Sequence, residues 1–115
     1  MLIFFALGAN STPKKIFTSP SFDAYLYLDS VKNEKYRIKA FVTFDIKNSS
    51  LLSKSKFYSQ LISYECGQNI PIIIEELLAE KPFGKGKKIE NIKELKKAQN
   101  LISSAYPSLF KETCI

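Results

Sequence analysis

A chain of 115 residues with 45% apolar and 13% aromatic content can close one hydrophobic core, whereas two halves would each be too small to bury enough surface. Nine Phe and six Tyr stand beside no Trp and no His, which removes the usual near-neutral general base and the commonest metal ligand together. The net charge is +6, and the stretch from Lys81 to Lys97 supplies +5 of it: seven lysines (Lys81, Lys85, Lys87, Lys88, Lys93, Lys96, Lys97) against Glu90 and Glu94. The basicity is therefore one patch, suited to anionic partners such as nucleic acid, lipopolysaccharide, sulfated glycans or acidic proteins.

The chain opens on MLIFFALGAN. An unbroken apolar run from Leu2 to Leu7 leads into Gly8 and Ala9, the pattern of an export signal ending at small residues, although a basic start is missing. A first core strand is the alternative. The run is far shorter than the ~20 residues that cross a bilayer, so no transmembrane anchor is expected. The division is residues 1–10 as the remnant of an export signal and residues 11–115 as a single domain.

Residues 11–21, with Pro13, Pro20 and several hydroxyl side chains, read as an irregular approach. A strand follows over 22–28, with Ala24, Leu26 and Leu28 alternating with Tyr25 and Tyr27, and residues 29–34 are rich enough in turn formers to reverse the chain. The clearest period of two spans 36–45. Tyr36, Ile38, Ala40, Val42 and Phe44 share one face, while Arg37, Lys39, Thr43 and Asp45 share the other with Phe41. After a polar loop at 47–53, a strand over 56–66 groups Tyr58, Ile62, Tyr64 and Cys66. Beyond the turn at 67–69, the β-branched Ile72, Ile73 and Ile74 favour a strand over 70–78, with Pro71 suited to an edge and residues 75–80 able to turn helical. Connections this short pair the strands antiparallel.

The period changes after Gly84 and Gly86. Asn91 followed by Glu94 fits a capping box, and Ile92, Leu95, Ala98 or Gln99, and Ile102 recur at helical spacing while Lys93, Lys96, Lys97 and Asn100 face water. Pro107 should stop this helix, and a last turn over 107–114 puts Phe110 and Cys114 on one face.

The two cysteines lie too far apart for a CxxC redox site, and two thiols without histidine make a poor zinc set. In a reducing compartment they read as buried thiols; in an exported chain they read as a bridge. Catalysis finds little footing. Glu75 and Glu76 point apart if they lie on a strand, Glu80 adds no base, and the SxxK pattern of Ser53 and Lys56 is short enough to arise by chance. Asn10 and Asn48 head glycosylation triplets that matter only in a eukaryotic secretory host. No catalytic residue, metal site or cofactor is expected.

The run YLYLDSVKNEKYRIKAFVTFDIKN, followed by SKSKFYSQLISYECGQN and KPFGKGKKI, resembles the bacterial surface-adhesin protein E family. Asp29 and Ser30 close a Tyr-rich strand, Asp45 to Asn48 match a turn, Tyr64 and Cys66 end a strand, Gly84, Lys85 and Gly86 match a Gly-x-Gly, and Cys114 ends the terminal helix. The resemblance implies an α+β fold: a small antiparallel sheet of about five to six strands with a C-terminal helix tethered by a Cys66–Cys114 disulfide. Ile62 and Tyr64, in phase with Cys66, would then lie beneath the helix with Phe110 between. The family's early Trp and its Pro-Gly-Ser lead are not matched here, where Pro107 and Ser108 stand.

The function implied is that of an exported binding protein of the periplasm, cell surface or outer membrane, with adhesion and virulence as its setting and a homodimer among its assemblies. Two surfaces are candidates: the seven-lysine patch for an anionic polymer, and the aromatics Tyr25, Tyr27 and Phe41 for a protein. The other class is a small cytosolic basic protein that binds nucleic acid.

Overall fold

The computed structural model describes residues 13–47, 57–68, 70–81 and 92–114. The leader, Asn10, Asn48, Ser53 with Lys56, Lys85, Lys87, Lys88 and the Asn91 cap lie outside them. Within these residues, six strands form one antiparallel sheet: β1 (Pro13–Thr18), β2 (Phe22–Tyr27), β3 (Lys32–Glu34), β4 (Arg37–Ile46), β5 (Phe57–Tyr64) and β6 (Ile72–Ala79). The order is β1-β2-β4-β5-β6, with the short β3 paired to β4. Two helices, α1 (Ile92–Ile102) and α2 (Tyr106–Thr113), follow, joined by a 3-10 turn over Ser103–Ala105.

Alternation within the strands sorts the side chains onto two faces. On the helix-covered face, Phe22, Ala24 and Leu26 of β2, Ile38, Ala40, Val42, Phe44 and Ile46 of β4, Tyr58, Ile62 and Tyr64 of β5 and Leu78 of β6 form the main core with Ala98, Ile102, Ala105 and Leu109 of the helical arm. Each large apolar side chain buried in this way contributes roughly 1.5–3 kcal/mol relative to exposure. The other face carries a smaller cluster of Tyr27, Phe41, Leu61 and Leu77.

Several local expectations are corrected. The approach at 11–21 contains a full edge strand, β1, whose bulge between Lys15 and Phe17 lets Phe17 pair with Ala24 and join the core. The predicted turn at 29–34 is a 3-10 turn over Leu28–Ser30 followed by β3, and the reversal sits at Lys35 and Tyr36. Lys35 takes the left-handed φ of 59° that this two-residue turn needs. Tyr36 therefore stands 86% exposed at the turn instead of opening the core face of β4. Leu28, assigned to a strand, is exposed in the 3-10 turn. Residues 75–79 stay extended because they pair with β5 through to Ala79. Pro107 does not halt a helix; α1 has already ended, and Pro107 occupies the first turn of α2, where a missing amide hydrogen costs nothing.

The arm is closed covalently. Cys66, just beyond β5, is bonded to Cys114 at the end of α2, with 5.6 Å between the α-carbons across a sequence separation of 48. The chain-entropy relation gives such a loop about 4 kcal/mol. Beside the bridge, the rings of Tyr64 and Phe110 lie 4.7 Å apart and the Tyr64 hydroxyl is hydrogen-bonded to Thr113 Oγ1. The side chains expected under the helix are there.

Candidate binding surfaces

Three places where side chains converge could carry function. The first is a polar seam between sheet and arm. Gln60 of β5 is fully buried on the core face, between Tyr58 and Ile62. Its Nε2 donates to the Tyr58 hydroxyl at 3.0 Å, and its Oε1 accepts from the Tyr106 hydroxyl at 2.8 Å. Tyr58 in turn donates to Glu76 Oε1 of β6, which also accepts from Gln99 Nε2 of α1 at 2.8 Å. Burial, reinforced by the Glu76 carboxylate, pushes the Tyr58 hydroxyl well above the ordinary tyrosine value, and burial raises Tyr106 and Tyr64 as well. The seam fixes how the arm docks. Its buried donors and acceptors have found partners, so it is a positioning device and not a reactive centre.

The second place is a groove of about 360 Å³ where the sheet end meets the arm. Ile70 and Pro71 wall it on one side, and Ser103, Tyr106, Pro107 and Phe110 on the other. Tyr106 and Phe110 stack at 6.2 Å, so this wall is aromatic and fixed by the packing of Phe110 on Tyr64. The groove is apolar and would admit one bulky side chain, and Phe110 in its wall precedes Cys114 by one helical turn.

The third place is the outer side of β6, which has no neighbouring strand among the described residues. Ile70, Ile72 and Ile74 are 81%, 57% and 44% exposed, although these residue types normally pack inward. A bulge between Leu61 and Ile62 releases Ile74 from the ladder and sets Glu75 opposite Leu61, on the face away from the helices. One oxygen of Glu75, Oε1, is closed off from water and accepts no hydrogen bond. Leaving such an acceptor unsatisfied costs about 1–3 kcal/mol.

The sequence-predicted sites fare differently. Tyr27 and Phe41 are buried against each other, rings 4.9 Å apart, and Tyr27 is held further by Thr43. They pack inside the chain and offer no aromatic surface. The tyrosine beside them on β2, Tyr25, is half-buried with Lys15 Nζ 5.8 Å from its ring centre. Of the lysine patch, Lys81 follows β6 and Lys93, Lys96 and Lys97 are exposed on α1, while Lys85, Lys87 and Lys88 lie outside the described residues. Glu94, read as the reciprocal partner of the Asn91 cap, is buried on the inner face of α1, while Asn91 lies outside the described residues.

Two groupings escaped the pattern-based reading. A polar residue at an inward strand position, Gln60 between Tyr58 and Ile62, was the available signal for the seam. The run IPIIIEELLAE, with three glutamates and no cation between Ile70 and Glu80, was the signal for the β6 edge. Among the described residues, no cluster of three potential metal ligands occurs and no helix is long and apolar enough to cross a membrane. Comparison with models of known protein families, with curated proteins and with solved structures finds no match.

Proposed function

We propose that the chain is an exported binding domain of the periplasm or cell surface that acts through protein contacts, as the likeness to the surface-adhesin family also implies. The observation that carries this reading is the Cys66–Cys114 bridge. Cys66 is exposed and Cys114 partly so, and a bridge open to solvent persists where the surroundings are oxidising. The bridge also holds the aromatic wall of the groove against the sheet, which preorganises that surface for a partner.

Mass spectrometry of the protein from its native cell tests this directly. Bonded cysteines and an N-terminus trimmed near Asn10 are the expected result. Two free thiols on an untrimmed chain that is retained on DNA and released by salt would replace this reading with that of a basic nucleic-acid binder using Lys96 and Lys97.

A further inference from the structure

We infer that the outer side of β6 receives an extended segment of another protein, added to the sheet as a further strand, and that this segment carries a bulky apolar residue and an arginine or lysine. The inference rests on the protein-binding reading above and names its site and partner class. Its parts come from different observations. Among the described residues no strand pairs with the outer side of β6, and the ladder groups of such an edge call for an extended backbone and not for a helix or a small molecule. Exposed Ile72 and Ile74 supply apolar contact along that edge. Pro71 has no amide hydrogen and ends the usable ladder at Ile72, where the groove begins.

Charge selects the occupant. Glu75, Glu76 and Glu80 are the charged residues between Ile70 and Glu80, and Glu75 Oε1 lacks a donor. A second copy of the chain pairing β6 with β6 about the middle of the strand would set glutamate against glutamate. It would also bring together two molecules of charge +6. A segment with a guanidinium or ammonium near Glu75 meets no such opposition. Ile70 precedes Glu75 by about five residues, or roughly 17 Å of extended chain, so the bulky residue and the cation are separated by about five positions in the partner.

The test uses the oxidised full chain and a fluorescent peptide of about nine residues, alternating valine and threonine, with phenylalanine and arginine about five positions apart. Saturable binding, weakened about tenfold or more when glutamate replaces arginine, is expected. Methylating alternate backbone amides along one side of the peptide should abolish binding. Glu75→Gln should shrink the preference for arginine over glutamate while the protein still binds. Ile72→Lys should remove binding with an unchanged melting temperature. Absence of saturation, or equal affinity for the methylated peptide, overturns the inference. So does sedimentation showing a dimer that Ile72→Lys dissociates, since the second copy would then occupy the edge. Free thiols in the native cell would remove the export reading yet leave the peptide titration as it is, so the two failures are separable.

Discussion

Among the described residues, the two outer strands of the sheet, β1 and β6, present their outer sides in opposite condition. β1 begins at Pro13, carries Lys14 and Lys15 and is bent by its bulge. Lys14 is also tied to Glu112 of α2 at 2.5 Å. Behind it, Asp23 accepts from the Thr18 hydroxyl and sits 2.9 Å from Lys47 Nζ and 3.7 Å from Lys15 Nζ. Proline, lysine and a bulge are the usual means of keeping an edge from pairing with another chain. β6 has a bulge but no lysine or proline within it, and it exposes Ile72 and Ile74. Among the described residues the sheet thus guards one edge and leaves the other apolar, and the second is the edge at which the proposed partner strand would add.

The largest expected effect tests what holds the open edge in place. Cys66→Ala should lower stability by about 4 kcal/mol in denaturant melts. Beyond the loss shared by every amide that exchanges through global unfolding, hydrogen exchange should show an added loss at residues 70–73 and α2, because the bridge joins the end of β5 to that corner. An equal added loss along β1 and β2 would break the contrast between the edges, since it would mean that the bridge supports the sheet as a whole.

Next in size is the seam that docks the arm beside β6. Gln60→Leu should cost about 2 kcal/mol, as the Tyr106 hydroxyl loses its acceptor in a buried site. The same seam gives an alkaline signature. Burial holds Tyr58 and Tyr106 neutral in the folded chain at a pH where the unfolded chain would ionise them. Their raised values favour folding fully below about pH 10, and that contribution is lost as pH rises toward the folded values. Tyrosinate absorbance that appears only together with unfolding is the expected reading.

At the guarded edge the sign reverses. The hydrogen bond from Thr18, then that from Lys47, holds the Asp23 carboxyl below its ordinary value of 3.8. A lowered folded value stabilises the protein above the unfolded value, and that share is lost as pH falls through the folded one. Asp23→Asn should therefore cost about 1 kcal/mol in denaturant melts at pH 7 and progressively less in melts at acid pH, as the folded carboxyl takes up its proton. A difference that stays unchanged as pH falls would show that Asp23 does not act through its charge.

How far the sequence foretold this arrangement depended on whether a side chain's fate was local. The period of two in Ile38, Ala40, Val42 and Phe44 and the helical spacing of Ile102 and Ala98 placed β4, α1 and their inward faces, because one buried face imposes its period on a strand or helix. β1 was hidden by Pro13, Lys14 and Lys15, whose polarity belongs to an edge and reads as a loop. Tyr27 and Phe41 looked exposed because alternation opposes them to the main core, and nothing local tells that the second face has a cluster of its own. The β6 edge was legible only as a charge imbalance. The groove was not legible at all, since Ile70 and Phe110 meet only in the folded chain.

The smallest effect on stability sharpens the contrast most. Ile74 is already partly exposed at a bulge, so Ile74→Lys removes little packing and should change the folding free energy by no more than about 0.5 kcal/mol. It should nevertheless weaken binding of the extended peptide about tenfold, because a lysine on an edge strand must lose its hydration before another strand can pair there. The reciprocal change at the other edge, Lys15→Ile, also removes an ion-pair partner of Asp23 and adds an apolar side chain to a bulged strand. If the bulge and Pro13 guard β1 by backbone shape, the peptide titration should show no second site in this variant. If it binds the peptide at β1 as readily as at β6, charge alone separates the two edges, and the β6 edge owes its character to the absence of a single lysine.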